Sequence, residues 1–483
     1  MAFVLIPQSL AYAELAGLPP YYGLYAAMLP PIAAAFFASS RHLQTGPVAM
    51  TSLLTFGALV PLAAVEGGEF IALAALLALV VGAARIAVGA LRVGWIAYLM
   101  SQPVLAGFTA AAAILITASQ LPTALGVTAP AGSLLGRAWW ALTHVAAWDV
   151  AAVVLAAVTV VLVMFGRRIH PVFPGVLVAV GIGLVYSVVA GYAGPVVGPV
   201  PSGLPPFTVE LPWERLPTLL LPGIVIALVG FGEAAAISRT FAAEDRFPWN
   251  PDREFVSQGV ANVAAALSSA FPVGGSFSRS SINRLAGGRT RWSGAVAGVV
   301  VLAFLPAAGV LAPLPRAVLG AIVIAAVVKL IQPLPMVRML RTSVLQGGIA
   351  WATFGLTLAL APRIDRAVLI GIVLALLVHA WRELSILVEA RYADGALTLT
   401  PKGVLFFASA PGLDQALLKQ LAAHPEATSL IIDLQHLGRI DYTGAMALKA
   451  FMASARHAGL TAEFTGTPPH SKRIMGRVFG TDL

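Results

Sequence analysis

Residues 42–61 read HLQTGPVAMTSLLTFGALVP, and residues 271–286 read FPVGGSFSRSSINRLA. Each is a Gly/Pro break followed by a segment too short to cross a bilayer, which takes about 17 or more apolar residues. Working outward, hydrophobic segments fall near 2–18, 22–38, 47–61, 69–91, 95–125, 139–165 and 172–191. A second set follows near 217–240, 254–271, 277–286, 292–311, 314–331, 344–361 and 366–389. Between the sets lies GYAGPVVGPVPSGLPPF (191–207), too rich in Gly and Pro for a helix. The two short segments are third in each set of seven. Interrupted segments at matching positions of two halves are the signature of an inverted-repeat transporter.

Composition points the same way. The chain has 483 residues, 59% hydrophobic and 11% charged, against about a quarter charged in a soluble protein. Its mean hydropathy is +0.88. With no cysteine, disulfides and thiolate metal sites are excluded. The eight histidines show no metal-ligand spacing, and no cofactor is expected. The net charge of +9 reads as positive loops of a membrane protein and not as nucleic-acid binding.

With fourteen spans both termini share a side. Loops there would carry Arg41, Arg85, Arg92, Arg167, Arg168, Arg246, Arg253, Arg284, Arg289, Arg291, Lys329, Arg338 and Arg341. The opposite loops carry Arg137, Arg215, Arg316, Arg363 and Arg366. The excess of positive charge puts both termini in the cytoplasm and the chain, multi-pass, in the inner (plasma) membrane. No cleavable signal peptide is evident. Only six residues precede Pro7 in the first span, which suggests an upstream start codon or a missing half-helix.

A helix starting in mid-membrane leaves backbone N–H groups to be completed by protein, water or ligand. Its N-terminus also carries roughly half a positive charge, so two such ends facing each other suit an anion. The second break adds Ser276, Ser278, Ser280, Ser281 and Arg279. An ionised residue inside a membrane segment is costly and usually functional, which makes Arg279 the leading candidate for the anion's counter-charge. Ser276 and Ser278 read equally well as helix caps. Glu233 is the only charged residue between Arg215 and Arg239, a candidate to take up a proton and couple it to transport. No nucleophile–base set is visible, so an enzyme is not indicated.

The chain resembles the sulfate permease (SulP) family, also called solute carrier family twenty-six. The resemblance rests on Ile6-Pro7-Gln8-Ser9-Leu10-Ala11-Tyr12-Ala13, Pro20-Tyr21-Tyr22-Gly23-Leu24-Tyr25, the run Ser39–Ala49, and Ser278-Arg279-Ser280 ahead of Gly287-Gly288-Arg289-Thr290. It implies a polytopic α-helical fold of two inverted seven-span repeats, arranged as core and gate domains. By the same resemblance Gln8 and Tyr12 of span one line a substrate cavity, with Val48 at the start of span three. Ser276, Phe277, Ser278 and Arg279 line it from span ten. In sodium-coupled members an acid in span eight serves the cation. Here Glu233 holds that position with Ile237 one turn on, and an apolar neighbour weakens a sodium site. A proton is therefore favoured over sodium. Nucleobase permeases, similar in fold, want a carboxylate in span ten as well, and 274–288 contains none. The expected activity is secondary transport of a small anion such as a dicarboxylate (fumarate), bicarbonate or sulfate, by proton symport and alternating access. The alternatives are an anion channel or exchanger, a nucleobase permease, or a receptor signalling without flux. Homodimerisation is expected from the family alone.

The transporter domain is expected over 1–391, with repeat one at 1–191 and repeat two at 217–391. A cytoplasmic α/β domain, 392–483, follows. Strands are expected near 396–400, 404–408, 429–434 and 461–465, and helices near 413–423, 444–457 and 471–479. This order, with Ile431-Ile432-Asp433-Leu434 and Ile440-Asp441-Tyr442-Thr443-Gly444, resembles a STAS domain. Thr443 stands where related domains carry a phosphorylated Ser, and reads here as a helix N-cap.

Overall fold

The computed structural model describes residues 1–168, 170, 173–207 and 210–480, and at Tyr98, Leu99 and Arg167 the backbone alone. Residue 172, the expected start of the seventh span, and residues 481–483 of the expected C-terminal domain lie outside the described residues. So does the side chain of Arg167, counted above among the loop charges. The chain divides into two compact units, Met1–Ile372 and Val373–Leu483.

The first half of the larger unit contains α1 (Ala2–Leu15), α2 (Tyr22–Phe37), β1 (Gln44–Gly46), α3 (Ala49–Leu59), α4 (Gly68–Ala90), α5 (Gln102–Ala124), α6 (Leu134–Thr143), α7 (Val150–Phe165) and α8 (Gly175–Ala190). The second half contains α9 (Leu216–Glu244), α10 (Pro251–Leu267), β2 (Gly274–Ser276), α11 (Phe277–Leu285), α12 (Trp292–Phe304), α13 (Arg316–Val327), α14 (Pro333–Thr342), α15 (Val344–Ala359) and the start of α16 (Ile364–Glu383), a helix that the division between the units cuts after Ile372. Among the described residues, 6 helices are long and apolar enough to cross a membrane by themselves. The remaining segments are shorter apolar helices or broken ones. Their outer faces stay apolar, as at Val150 (75% exposed) and Val189 (80% exposed), which suits a lipid solvent.

With α6 and α14 set aside, seven helical segments remain in each half, and the two extra helices occupy the same place in both. The sequence reading had merged α6 into a single span, 139–165. Asp149 breaks it: its Oδ1 accepts from Ala151 N at 2.9 Å and caps α7. An apolar average across Trp139, Trp140 and Leu142 conceals such a cap. The last span was also drawn too long. Helix α16 ends at Glu383, and a strand begins at Leu387. The apolar run Leu384–Val388 reads equally as a helix tail or a strand.

Two packing groups make up the unit. Helix α4 lies against α9 and α10, and α2 lies against α1, α10 and α12. This is the core group. In the gate group α5 packs on α13 and α15, and α7 on α8 and α13. Contacts of α1 with α13 and of α3 with α5 join them.

Arg85 is not a loop residue, as the charge count had assumed. It is fully buried in α4. Its Nε donates to Ala227 O (3.1 Å), Nη1 to Val273 O (2.9 Å) and Nη2 to Ile226 O (3.3 Å). A guanidinium with five fixed donors can bind several carbonyls at once, and this one ties α4 to α9 and to the chain entering β2. From α10, Asn262 grips the same point. Its Oδ1 accepts from Val273 N (3.0 Å) and its Nδ2 donates to Val273 O (3.1 Å).

In the smaller unit β3 (Leu387–Ala393) pairs antiparallel with β4 (Ala396–Leu405). Strand β4 runs parallel to β5 (Ser429–Asp433), and β5 parallel to β7 (Thr461–Thr465). The far end of β4 also pairs with β6 (Leu437–Ile440). Helices α17 (Ala410–Ala423), α18 (Tyr442–His457) and α19 (Lys472–Phe479) complete the unit. Leu399, Ile432, Leu417, Leu448 and Met475 are among its buried core. The two strands expected at 396–400 and 404–408 are one, and β3 and β6 were missed as strands. The cap of α18 is Asp441, whose Oδ1 accepts from Gly444 N at 2.7 Å. Thr443 lies exposed in the first turn instead.

Replacing Asn262 with Leu leaves the buried Val273 N–H without its acceptor. The expected cost is about 1–3 kcal/mol, visible as a lower melting temperature of the purified protein in detergent. An unchanged melt would show that Val273 N–H has another acceptor.

Candidate functional site

The two breaks meet. Strand β1 pairs with β2 in an antiparallel ribbon, in the register Gln44↔Ser276, Thr45↔Gly275 and Gly46↔Gly274. Pairing satisfies backbone groups that would otherwise be orphaned in the middle of the unit. Because the ribbon is antiparallel, the chains leave it in opposite directions. Helices α3 and α11 therefore start on either side and turn their N-termini toward a shared region.

Small residues permit the close approach. A Cβ at Gly275 would come 2.7 Å from Leu43 Cδ1 and 3.0 Å from Ala234 Cβ, so the ribbon lies tightly on α9. Gly46 has φ +152°, and a Cβ there would come 3.3 Å from Arg279 Nη2. The ribbon is also held from its flanks. Gln258 Nε2 donates to Thr45 Oγ1 (2.7 Å), and Gln44 N donates to Ser280 Oγ (2.9 Å), whose hydroxyl donates to Ser276 O (2.6 Å). Gln44 Nε2 and Asn283 Nδ2 both donate to Ser293 Oγ, at 3.1 and 2.9 Å.

The helix starts differ. Helix α11 has a side-chain cap: Ser276 Oγ accepts from Arg279 N at 3.4 Å and lies 3.4 Å from Ser278 Oγ. At α3 the N-cap is Val48, buried and extended (φ −140°), and no side chain caps the helix.

Arg279 is 1% exposed, and Nε, Nη1 and Nη2 have no hydrogen-bond partner among the described residues. Glu233 is the acidic side chain close enough to act on it electrostatically. Gln8 and Tyr12, one turn apart on α1, are both buried, and Gln8 Oε1 has no partner. A buried guanidinium with no hydrogen-bonded counter-charge costs several kcal/mol, so a bound anion there would be favoured.

A cavity of about 240 Å³ opens beside this cluster, between the core and gate groups. Met50, Phe108, Glu233, Ile237 and Phe277 are among its walls. Of the sequence candidates, Glu233 and Phe277 line it directly. Gln8, Tyr12, Val48, Ser276, Ser278 and Arg279 are not among the lining residues. They sit on α1 and at the two helix starts, with Ser278 half-buried and the others buried. Toward the C-terminal end of α3, a second cavity of about 440 Å³ holds Glu14, Glu66 and Arg316. There Arg316 Nη1 lies 3.9 Å from Glu14 Oε1 and 3.5 Å from Glu66 Oε1, joining the gate helix α13 to the core.

Sequence reasoning passed over the polar face of α10. Glu254, Gln258 and Asn262 recur every four residues along α10 and are all buried. That spacing was the available signal, since buried polar groups must find partners.

Comparison with known proteins completes the picture. Residues 1–353 match the sulfate permease family and residues 388–478 match the STAS domain. A probable sulfate transporter of Mycobacterium tuberculosis strain H37Rv is 37% identical over 341 residues, covering 68% of this chain and 60% of its own. The chain thus spans about 60% of the length of such curated relatives. The sodium-independent sulfate anion transporter of Bos taurus is 29% identical, covering 98% of this chain and 83% of its own. Among solved structures, the murine solute carrier 26 family member A9 anion transporter in its inward-facing state superposes with a TM-score of 0.90 at 20% identity, over 99% of this chain and 85% of its own. The transmembrane domain of a cyanobacterial bicarbonate transporter gives 0.66 at 25%, over 77% and 94%. The architecture is therefore that of a multi-pass membrane protein with seven-plus-seven inverted repeats and a C-terminal STAS domain, and the chain belongs to the sulfate permease family.

Proposed function

We propose that the chain is a secondary transporter of a small anion. The observation that carries this reading is the ribbon that brings two helix N-termini together beside the unpartnered guanidinium of Arg279. The anion would sit against the free N–H groups at the start of α3 and the hydroxyls of Ser276 and Ser278. Gln8, Tyr12, Val48 and Phe277 would shape the pocket, and Arg279 would supply the counter-charge. The substrate class is a dicarboxylate such as fumarate, bicarbonate or sulfate. The names of the similar transporters favour sulfate or bicarbonate. No chemical conversion of the anion is part of this reading.

Glu233 is the proposed coupling residue. It faces the same cavity as Ile237, an apolar neighbour poor at ligating sodium, which favours a proton. Movement of the core group against the gate group would give alternating access. The contacts of Arg316 with Glu14 and Glu66 would then have to part each cycle. With Arg85 removed from the earlier charge count, 12 basic residues against 5 still favour cytoplasmic termini.

Labelled sulfate, bicarbonate and fumarate, offered to proteoliposomes with and without an inward proton gradient, test the reading. Saturable uptake that shows counterflow is expected. Large unitary currents would instead identify a channel. Arg279→Ala is expected to cut uptake at least tenfold while leaving the melting temperature within a few degrees, since a charge-assisted contact is worth about 1.5–3 kcal/mol. Normal uptake by this variant would refute the role given to Arg279. Glu233→Gln, which cannot ionise, is expected to abolish the response to the proton gradient while anion counterflow continues. If the gradient still drives uptake in that variant, Glu233 is not the coupling group.

A further inference from the structure

A separate pocket of about 900 Å³ lies at the end of the bundle where α2, α9 and α11 finish and α10 and α12 begin. It is walled by the linkers between these helices. Arg41, Arg253, Arg289 and Arg291 line it, and no carboxylate does. None of the four is in a salt bridge among the described residues.

The nearby acids are committed elsewhere. Glu254 is buried, and its Oε2 accepts from Ser39 N (3.1 Å), Ser40 N (2.7 Å) and Trp249 Nε1 (3.3 Å). Asp252 Oδ1 accepts from Gly94 N (2.7 Å). Asp245 bonds to His42 and Arg284. The arginines are meanwhile placed by the fold. Arg253 Nε donates to Phe37 O (2.9 Å), and Arg291 Nη1 donates to Ala38 O (3.0 Å). Arg41 stacks 3.6 Å from the centroid of the Phe247 ring. Arg289 makes no hydrogen bond or ion pair among the described residues.

Four guanidinium groups thus line one pocket with no carboxylate among its lining residues. Such forks match phosphate oxygens in geometry as well as charge. Aromatic side chains stand next to the pocket: Phe36 (58% exposed) meets the lining residue Trp292 (43% exposed) edge-on, with centroids 5.1 Å apart. Exposed aromatics at the end of an apolar bundle mark the headgroup level of a membrane. A soluble anion needs only the arginines; a lipid needs both features. We infer that this pocket binds the phosphate-bearing headgroup of an anionic phospholipid from the leaflet at that end of the bundle. The site is distinct from the proposed transport site and stands whether or not that reading holds.

The test uses the full chain in nanodiscs of phosphatidylcholine alone or doped with phosphatidylglycerol. Phosphatidylglycerol should raise the melting temperature and survive as an adduct in native mass spectrometry. Arg289→Gln should melt like wild type in pure phosphatidylcholine yet retain the lipid about fivefold less well, the weight of one interfacial arginine. Arg289→Lys should restore most of the retention. Arg338→Gln, on α14 and outside the pocket, should change nothing. Equal retention by wild type and Arg289→Gln would overturn the site. Equal protection by inorganic phosphate without phosphatidylglycerol would overturn the lipid as its occupant.

Discussion

Two helices begin in the interior of this protein, and their backbone N–H groups have to be satisfied there. Everything else in the larger unit is arranged around that constraint. A ribbon of three residues on each side, Gln44–Gly46 against Gly274–Ser276, completes the strand groups just ahead of the helices. The helices' own first N–H groups lie outside the ribbon's register and are not completed by it. Ser276 caps one end. No side chain caps the other, which leaves donors directed at the region where Arg279 is also unpartnered.

Holding such a ribbon in place requires polar side chains inside an apolar bundle. Arg85, Gln258 and Asn262 do this from α4 and α10 by binding carbonyls, a hydroxyl and an amide of the chain around the breaks. Each is buried and each has partners of its own. Arg279 differs from Arg85 in this respect. Both are large buried cations, but each nitrogen of Arg85 donates to a carbonyl and none of Arg279 has a partner among the described residues. Hydrogen bonding and not burial is what marks Arg279 as the candidate for a ligand.

The division into core and gate groups would, under the proposed mechanism, give the site a moving wall. The cavity beside Glu233 takes walls from α3, α9 and α11 on one side and from α5 on the other. Toward the C-terminal end of α3, Arg316 reaches across to Glu14 and Glu66. Such partly exposed pairs are weak, typically about 0–1 kcal/mol each. They can therefore bias one arrangement without locking it, as the proposed carrier would need.

The amino-acid order alone determined the two halves, the two broken segments at matching positions and the candidate residues Arg279 and Glu233. These are legible because membrane solvent forbids charges and Gly/Pro breaks except where they serve a purpose. The sequence also carried the switch to a STAS composition, although β3 and β6 escaped it because short strands resemble helix tails. Only the tertiary structure decided that the two breaks pair with each other across more than two hundred residues, since register between distant strands leaves no local mark. It alone showed that Arg85 is a buried strut and not a loop charge, and that α6 stands apart from the span it had been merged with. Hydropathy averages over a window, whereas hydrogen bonding is settled atom by atom, and that is the physical reason the outline was readable and the wiring was not.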